Sequence, residues 1–314
     1  MTDPDPHPVA IIQLPPDRVS SHLKRSFDEL VQSAWVETLE ECTNEQKSIA
    51  RILVAANGDL GRNSLVQLPS LNLVVCIGTA YDNVDLDYCK ENGIVVANTP
   101  GYAGPSVAEH ALALMMSLNR RVCEINSHVQ AGHVDTTGFI ARDLRDKTAG
   151  IFGLGDIGGR IASMVDAIGM KVIFTSRQTK TFPGARQVDR ETLLRESDIL
   201  FLSAPLTDDT ADLVNRQTLS SMKPSAQIIN ISADELIIGA DLVASIKADR
   251  LGGAALDVIG DPAVYRGQPK IILTHLNGWW TIECQERWAE TWMSSVRAYL
   301  THGSVGAVNV TAGD

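Results

Sequence analysis

Short apolar runs rich in β-branched residues alternate with segments of helical periodicity along almost the whole of this 314-residue chain. The alternation predicts α/β architecture with parallel sheets, because consecutive parallel strands must be joined by a crossover, which is usually a helix. Because a domain typically has about 100–200 residues, a chain of this length is expected to contain two domains. The predicted strands are 9–14, 51–57, 71–78, 93–99, 148–155, 171–177, 198–206, 227–232, 252–258 and 270–275.

Helical periodicity between these runs predicts helices over 20–35, 210–223, 239–250 and 282–300. Residues 100–121 have the pattern of a loop followed by a long apolar helix. Such a helix either connects two domains or buries its face against another subunit.

The balance of charged residues excludes some classes of partner. A net charge of −11, from 27 basic and 38 acidic residues, argues against nucleic acid or an anionic membrane as the main partner. The five cysteines are scattered and include no C-x-x-C pair, which is typical of a reduced intracellular protein without a zinc site or disulfide framework. No apolar run could span a bilayer, and the first residues lack the basic region of a signal peptide. We expect a cytoplasmic protein without a metal, acting on a small molecule.

The segment 150–177 contains Gly153, Gly155 and Gly158 in the pattern G-x-G-x-x-G. The pattern alone is weak, but here it follows an apolar strand, opens a helix and leads to a second strand, which is the context that dinucleotide binding requires. The first glycine permits a tight turn, the second lets the backbone approach a pyrophosphate, and the third lets helix and strand pack closely. The alternative is a glycine-rich turn without a ligand; the context favours dinucleotide binding.

The end of the next strand indicates which dinucleotide is bound. An NAD site usually has an acidic residue there, about 20 residues beyond the glycines, which accepts hydrogen bonds from the ribose. This chain has Ser176 and Arg177 instead. A guanidinium suits the 2′-phosphate of NADP, although a solvent-exposed arginine at a strand end is the alternative. We therefore expect NADP(H) to be preferred, with NAD(H) possible.

Taken together, the motifs resemble those of the D-2-hydroxyacid dehydrogenase family, over nearly the full length. The matching segments are 78–101, 106–121, 150–162, 204–215, 222–232, 252–258 and 272–275. Within that family, "LVAANGDLG" (53–61) and "FTSR" (174–177) look most like the NADPH-using glyoxylate/hydroxypyruvate and hydroxyphenylpyruvate reductase branch.

The resemblance implies an α/β fold with two Rossmann-like, doubly wound parallel-sheet domains. A cofactor domain of residues 100–283 would be inserted in a flavodoxin-like substrate domain of residues 1–99 and 284–314, with a cleft between the two domains. It also implies a homodimer formed through the helical region 100–150.

The resemblance further implies roles for individual residues. His275 would be the acid/base that gives a proton to the substrate during hydride transfer, held by an acidic residue before a proline, which here is Asp261. Without the resemblance to the family, the alternative for His275 is a structural cap at the end of a strand. The substrate would contact backbone N–H groups of Ile77, Gly78 and Thr79, and Trp279 is a further substrate-binding candidate because it lies four residues after His275. The implied cofactor-binding residues are Gly153, Gly155, Asp156, Ile157, Gly158, Ser176, Arg177, Pro205, Thr210, Ile231, Asp257 (at the nicotinamide carboxamide) and Gly278.

Trp279 and Trp280 follow the predicted acid/base closely. They either line a pocket for a bulky, apolar substrate or belong to a core or a dimer interface, and the sequence favours neither alternative.

The chain departs from the family pattern in "IINISADELI" (228–237). Where the family has an arginine that binds the keto and carboxylate oxygens of a 2-oxoacid, alignment puts Ala233, followed by Asp234. Three interpretations follow: a reductase of an uncharged, cationic or imine substrate; a weakened 2-oxoacid reductase that uses another base, such as Arg142 or Arg266; or an inactive NADP(H)-binding sensor or scaffold. The retained His275 and Asp257 favour an active enzyme.

Overall fold

The structure is a computed structural model that describes residues 9–14, 19–55, 60–78, 81, 83–303 and 305. Its internal contacts divide the chain into two units. Unit 1 comprises the described residues of Met1–Ala103 and Thr281–Asp314, and unit 2 is the continuous segment Gly104–Trp280. Thr79, a predicted substrate-binding residue, is outside the described residues.

Unit 1 contains a five-stranded parallel sheet with the strand order β2-β1-β3-β4-β5. This is the flavodoxin-like order, in which the winding direction reverses between the first and third strands. The strands are β1 (Val9–Gln13), β2 (Gln32–Val36), β3 (Ala50–Ala55), β4 (Leu73–Cys76) and β5 (Val95–Asn98).

Strand β2 corrects the helix predicted over 20–35. That helix, α1 (Ser21–Asp28), is followed after three residues by β2, which pairs with β1 in parallel. The carboxylate of Asp28 accepts hydrogen bonds from two side chains of the new strand, those of Ser33 and Trp35. The apolar spacing of the segment resembled one long helix, but long-range pairing with β1 decides the conformation of its second half.

Four of the five helices described in unit 1 begin at a residue whose side chain caps them. The carboxylate of Asp85 caps the first turn of a helix by accepting from the N–H of Tyr88 at 2.8 Å. The last helix buries Trp288, Trp292 and Met293 in the hydrophobic core of unit 1. These helices are α1, α2 (Asn44–Ile49), α3 (Arg62–Leu65), α4 (Leu86–Glu91) and, last in the whole chain, α11 (Ile282–His302).

Unit 2 contains a seven-stranded parallel sheet with the order β12-β11-β10-β9-β6-β7-β8. The winding reverses between β6 and β9, which in open α/β sheets creates a crevice at the carboxyl ends of the strands. The strands are β6 (Thr148–Phe152), β7 (Lys171–Thr175), β8 (Ala185–Gln187), β9 (Ile199–Leu202), β10 (Gln227–Asn230), β11 (Gly253–Leu256) and β12 (Ile271–Leu273). The short edge strand β8 was not predicted.

Helices cover both faces of this sheet, so its central strands are apolar throughout. Along β9, Leu200 and Leu202 belong to one buried cluster, while Ile199 and Phe201 belong to another. The helices are α5 (Gly104–Asn119), α6 (Val122–Gln130), α7 (Asp156–Ala167), α8 (Arg190–Glu196), α9 (Arg216–Ser221) and α10 (Gly239–Lys247). None of the helices in the described part of the chain is both long and apolar enough to cross a bilayer.

Candidate active site

The glycine-rich turn between β6 and α7 has two glycines where a side chain would not fit. Gly153 has a φ of +98°, and a Cβ there would lie 2.7 Å from the Cα of Ala204. A Cβ at Gly158 would lie 2.1 Å from the carbonyl oxygen of Gly153. At Gly155, the N-cap of α7, a Cβ would meet no atom within 4 Å. The turn is therefore tightly packed on its inner side and open at the helix N-terminus, where an anionic group can approach.

A cavity of about 760 Å³ opens beside this turn, where β6, β7 and β9 end. Its volume is within the range of about 300–1,000 Å³ that is typical of small-molecule sites. Six residues predicted to bind the cofactor line it: Gly153, Gly155, Ser176, Arg177, Pro205 and Thr210. The cavity thus lies where the strand order reverses, and it is lined by glycines of the G-x-G-x-x-G motif.

The other six predicted cofactor residues do not line this cavity, although they belong to the same unit. Asp156, Ile157 and Gly158 form the first turn of α7, where the carboxylate of Asp156 pairs with Arg160 at 2.9 Å. The remaining three follow neighbouring strands at the same sheet edge: Ile231 after β10, Asp257 after β11 and Gly278 after β12.

Three cationic side chains line the cavity: Arg177, Lys180 and Arg190. Lys180 Nζ donates to the backbone oxygen of Leu154 at 2.7 Å, and Arg190 Nη2 donates to the backbone oxygen of Asp209 at 2.9 Å. Arg177 is exposed and makes no hydrogen bond or ion pair with the residues described. Of these cations, only Arg177 was predicted from the sequence.

The cavity lining contains one carboxylate, that of Asp189. It caps α8, accepting from the N–H of Thr192 at 2.7 Å and from its hydroxyl at 3.0 Å. These two bonds, the backbone one first, lower the pKa of Asp189. The charge on the carboxylate thus serves the helix, and the lining carries more positive than negative charge.

A second set of polar groups surrounds the Asp257 carboxylate, directly after β11. Its Oδ1 accepts from the hydroxyl of Thr274 at 2.5 Å and from the N–H of Asn277 at 2.9 Å, and its Oδ2 accepts from the N–H of Gly278 at 3.0 Å. His110 Nε2, from the middle of α5, lies 3.2 Å from Oδ1 and 3.1 Å from the Thr274 hydroxyl. Three donors thus contact Oδ1 and one contacts Oδ2, so that only Oδ2 keeps an acceptor position.

The pKa of Asp257 is determined by two opposing effects. Burial raises the pKa, since only 5% of the side chain is exposed. Hydrogen bonds to the charged form, from His110, Thr274, Asn277 and Gly278, together lower the pKa by more than burial raises it. The net pKa is well below the ordinary value for aspartate. Asp257 is therefore an ionised, buried acceptor.

His275 follows Thr274 and is exposed. The expected bond between His275 and Asp261 is not formed. Asp261 Oδ1 instead accepts from the N–H of Ala263 at 2.8 Å and caps the 3-10 turn Pro262–Val264. A proline at the first position of a turn and a short acidic residue before it favour this capping. Among the described residues, the His275 side chain has no hydrogen-bond or ion-pair partner.

The segment containing Ala233 follows β10 at the same edge of the sheet. Asn230 holds it, because Nδ2 of Asn230 donates to the backbone oxygen of Ala233 at 2.8 Å, and its Oδ1 accepts from the N–H of Ser232 at 3.1 Å. Ala233 is the N-cap of the 3-10 turn Asp234–Leu236 and has no side-chain polar group to offer.

Asp234 faces the loop after β11, since its Oδ2 would lie 2.7 Å from a Cβ placed on Gly260. Burial, and then the negative charge of Asp234, raise the pKa of Tyr265 to about 12. Glu235 is exposed, and its backbone oxygen accepts from the N–H of Asp212 at 2.8 Å. A half-buried carboxylate therefore lies directly beside the methyl group of Ala233 in sequence.

In unit 1, two N–H groups expected to be free for a substrate are already bonded. Ile77 N–H donates to the backbone oxygen of Ala55 at 2.8 Å, and Gly78 N–H donates to the hydroxyl of Thr99 at 2.7 Å. Both follow the end of β4, Ile77 buried and Gly78 partly buried, and a buried N–H needs an acceptor within the protein. The N–H groups of Ile77 and Gly78 are thus bonded within unit 1 in this structure, Thr79 lies outside the described residues, and the role of all three in substrate binding stays a prediction.

Trp279 and Trp280 stack edge to face, with ring centroids 4.8 Å apart and an interplanar angle of 88°. Trp279 is half-buried and Trp280 is exposed. Both lie at the end of unit 2.

Arg142 lies far from Ala233 along the sheet. It lines a cavity of about 560 Å³ whose other residues include Asp198, Gln227 and Gly252, at the amino ends of the strands of unit 2. Ala233 follows the carboxyl end of β10. Because the two residues lie at opposite ends of the strands of one sheet, Arg142 cannot take the position of a base beside Ala233. Arg266 is exposed, after the turn Pro262–Val264.

His110, Lys180, Arg190 and Thr274 were not identified as candidates from the sequence. His110 is within the run "HALALMMSL", where a lone histidine on an apolar helix is typical of a packed core residue. For the two cations, the only signal was the proximity of basic residues to a strand end that already carried Arg177.

Comparison with known proteins gives consistent results. Residues 112–275 match the family described as D-isomer specific 2-hydroxyacid dehydrogenase, NAD binding domain. A glyoxylate reductase of Thermococcus litoralis is 31% identical over 259 residues, which cover 78% of this chain and 78% of the relative. A glycerate dehydrogenase of Methylorubrum extorquens is 31% identical over 282 residues, which cover 86% of this chain and 88% of the relative.

Among solved structures, an acyclic imino acid reductase (Bsp5) in complex with NADPH and D-Arg is similar along nearly its whole length. The TM-score is 0.82 at 27% sequence identity, and the match covers 96% of this chain and 99% of the other.

Proposed function

Because this chain belongs to the D-isomer specific 2-hydroxyacid dehydrogenase family, and is thus an NAD(P)-dependent oxidoreductase, we propose that it is an NADPH-dependent reductase of an atypical substrate. The substrate class that fits best has a C=N or C=O bond and does not depend on an arginine for binding. The observation that carries this proposal is the segment after β10, where Ala233 is followed by Asp234.

The preference for NADPH is supported by the cations of the cavity. Arg177, Lys180 and Arg190 all line it, and the one carboxylate of the lining is bonded to α8. A 2′-phosphate accepts charge-assisted hydrogen bonds from such groups, each contributing about 1.5–3 kcal/mol. The one carboxylate that could accept from a free 2′-hydroxyl, that of Asp189, is already bonded to the N–H and hydroxyl of Thr192. The relative solved with NADPH has the same fold.

The residues present also fit the pyrophosphate of a dinucleotide. The open side of Gly155 and the N-terminus of α7 provide N–H groups and the positive end of a helix dipole. A bound NADPH would supply the hydride for the reaction. The chain itself must position the cofactor and the substrate and supply a proton.

We assign the proton to His275, which lies in the turn after β12. When hydride adds to the carbon of a C=O or C=N bond, the π electron pair moves to the heteroatom. His275 then gives its proton to that oxygen or nitrogen, and the product is an alcohol or an amine. Asp257, held by four donors, would keep one acceptor position on Oδ2 for the amide group of a nicotinamide.

The case for an atypical substrate rests on charge. A 2-oxoacid needs a cation near the reacting carbonyl, and truncating a desolvated charge pair costs roughly 2–5 kcal/mol. Ala233 offers no charge, Asp234 adds a negative one, and the N–H groups of Ile77 and Gly78 are engaged. A neutral imine substrate, or one with a cationic side chain, would tolerate the carboxylate of Asp234.

The cofactor preference is tested by fluorescence titration with NADPH and NADH. Arg177→Ala should weaken NADPH binding about tenfold or more, with little effect on NADH. Arg195→Ala is the matched control, because Arg195 lies on α8 outside the cavity. Tighter binding of NADH than NADPH by the unaltered protein would contradict the preference.

The substrate class is tested by following NADPH oxidation with 2-oxoacids alone, 2-oxoacids with an amine, uncharged ketones and cyclic imines. We expect turnover with the imine-forming mixtures to exceed that with 2-oxoacids alone. His275→Ala should then lower kcat at least a hundredfold. NADPH binding without turnover of any class would contradict the enzyme proposal and favour a sensor.

A second candidate is a weakened 2-oxoacid reductase, which is favoured by the 31% identity with a glyoxylate reductase. It predicts that glyoxylate or hydroxypyruvate is the best substrate of the screen, with a high KM. The two candidates are distinguished by whether adding an amine raises the rate.

We also propose a homodimer that uses α6 and the residues after it. Within α6 no residue is buried, and Val134 and Ile140 are 86% and 85% exposed. Large apolar side chains exposed to this extent along one segment are typical of an interface. Light scattering should give the mass of a dimer, and Ile140→Asp should shift it toward the monomer.

A further inference from the structure

The turn that carries His275 is held almost entirely by one neighbouring residue. Within Thr274–Gly278, the Thr274 hydroxyl and the N–H groups of Asn277 and Gly278 donate to the Asp257 carboxylate. The N–H of Leu276 donates to the backbone oxygen of Asp257 at 2.7 Å. Every residue of the turn except His275 is therefore bonded directly to Asp257.

This turn includes a backbone conformation that is unfavourable without support. Leu276 has a φ of +50°, in the left-handed region, and its side chain is exposed. A non-glycine residue in that region costs roughly 1–2 kcal/mol and persists only where its surroundings determine the conformation. Three bonds to the carboxylate of Asp257 and one to its backbone oxygen provide that support, so the position of the turn depends on Asp257.

His110 fixes the carboxylate from the other side. Its Nε2 lies 3.2 Å from Asp257 Oδ1 and 3.1 Å from the hydroxyl of Thr274. Because an ionised carboxylate only accepts hydrogen bonds, Nε2 must carry a hydrogen here. The Cδ2 of His110 would also lie 3.4 Å from a Cβ placed on Gly278. A single imidazole thus contacts both ends of the turn.

The surroundings of His110 do not otherwise call for a polar residue. It lies on α5, whose buried side chains include Ala108, Ala111, Leu114 and Met115. An apolar residue would pack on that face of the helix without the cost of burying a polar group. A histidine at this point is therefore favoured by its hydrogen bonds, which lead to Asp257 and Thr274.

We propose that His110 is a positioning residue for the proton donor, because it fixes the Asp257 carboxylate and, through it, the turn Thr274–Gly278 that carries His275. His110 acts through Asp257 and Thr274, in place of the direct carboxylate partner that His275 lacks among the described residues. The proposal rests on the proposed function in its kinetic part only; that His110 holds the turn does not depend on it.

The structural part is tested by hydrogen exchange and mass spectrometry on the full chain, comparing His110→Ala, His110→Gln and the unaltered protein. In His110→Ala, amide exchange within 274–280 should rise about tenfold, which corresponds to about 1.4 kcal/mol. His110→Gln keeps an N–H donor and should recover much of the protection. Glu109→Ala, the exposed neighbour on α5, is the control and should change nothing in this peptide.

Two variants of Thr274 test the same turn without changing a residue of α5, so that altered packing of that helix cannot explain their effect. Thr274→Val should raise exchange in the same peptide, whereas Thr274→Ser, which keeps the hydroxyl, should not. The peptide of the glycine-rich turn 153–158 should be unchanged in every variant. Unchanged exchange at 274–280 in His110→Ala, or a rise of equal size throughout unit 2, would overturn the proposal.

The kinetic part uses the best substrate of the NADPH screen. His110→Ala should lower kcat about tenfold to a hundredfold, and the solvent isotope effect on kcat should increase as proton transfer becomes slower. His110→Gln should recover most of kcat. Loosening of the turn without a change in kcat would overturn the role in catalysis. Failure of the proposed function is seen separately, as absence of turnover in the unaltered protein.

Discussion

The ammonium group of Lys180 donates a hydrogen bond to the backbone oxygen of Leu154, with the two atoms 2.7 Å apart. Leu154 lies between the first two glycines of the turn after β6, whereas Lys180 belongs to the segment after β7. The bond fixes a positive charge beside the open N-terminus of α7. Two further N–H donors of Lys180 remain for a ligand.

Replacing Lys180 should therefore reduce the affinity for NADPH. Lys180→Met keeps the length of the side chain, and we expect the Kd of NADPH to rise about tenfold, since a charge-assisted bond contributes about 1.5–3 kcal/mol. The dependence of the Kd on salt should also weaken. Lys171→Met, at the amino end of β7, is the control. An equal loss for NADH would mean that Lys180 does not contact the 2′-phosphate.

The glycines of the turn should respond differently to a methyl group. Gly158→Ala places a Cβ against the backbone oxygen of Gly153, and overpacking of this kind costs about 1–3 kcal/mol of unfolding free energy. Gly155→Ala meets no atom of the protein, so it should leave stability unchanged and weaken only cofactor binding. Thermal unfolding and NADPH titration of both variants distinguish the two effects. Loss of stability in Gly155→Ala would contradict this division.

Asp257 should make the protein sensitive to acid. Its pKa is lowered in the folded state, so its contribution to stability is fully present above the unfolded value of about 3.9 and is lost as the pH falls through the folded pKa. Asp257→Asn should lower the unfolding free energy at pH 7 by about 1–3 kcal/mol, because the amide NH₂ would face a donor. Urea unfolding at a series of pH values below 5 should bring the two proteins closer together. Asp208→Asn, an exposed aspartate, is the control.

Asp261 should contribute to stability rather than to the proton transfer. Asp261→Ala removes the cap of the turn Pro262–Val264 and should cost about 0.5–2 kcal/mol, whereas Asp261→Asn keeps a capping oxygen and should cost little. Neither change should move the pH profile of kcat. If Asp261→Asn were stable but shifted that profile, His275 and Asp261 would have to pair during turnover.

Introducing an arginine after β10, where the resemblance to the family leads us to expect one, tests the substrate argument directly. Ala233→Arg with Asp234→Gly should raise kcat/KM for glyoxylate or hydroxypyruvate by tenfold or more, given the roughly 2–5 kcal/mol attached to such pairs. Ala233→Lys with Asp234→Gly supplies a charge without the fork of the guanidinium and should gain less. No gain from the arginine variant would mean that the pocket differs from the family beyond these two positions.

The sequence predicted the elements whose signal is local. Strands such as β9 and β10 are continuous apolar runs because both faces of their sheet are covered. The turn with Gly153 could be identified because its steric requirement is met by the residues themselves. Strand β2, with the sequence QSAWV, was missed because it is a half-buried edge strand whose conformation depends on pairing with β1.

The side-chain contacts of the candidate site could not be predicted in the same way. His110 and Asp257 are distant in sequence, and only the packing of α5 against the ends of β11 and β12 brings them together. The pairing of His275 with Asp261 was expected from a family pattern, but the backbone N–H of Ala263 is a nearer partner for that carboxylate. Competition between local caps and distant partners is decided by geometry that a sequence does not contain.

The insertion of unit 2 within unit 1 has a consequence for the order of folding. Unit 2 is one continuous segment, so all its strands are available for pairing before α11 is synthesised. Unit 1 must wait for α11, because Trp292 of that helix is fully buried and packs against Phe27 of α1 with ring centroids 5.0 Å apart. Closing so long a loop is slow, and domains generally fold as units from the ribosome. A released chain that lacks α11 should therefore present a folded unit 2 and an exposed apolar sheet from unit 1, which makes that intermediate the one that chaperones would bind.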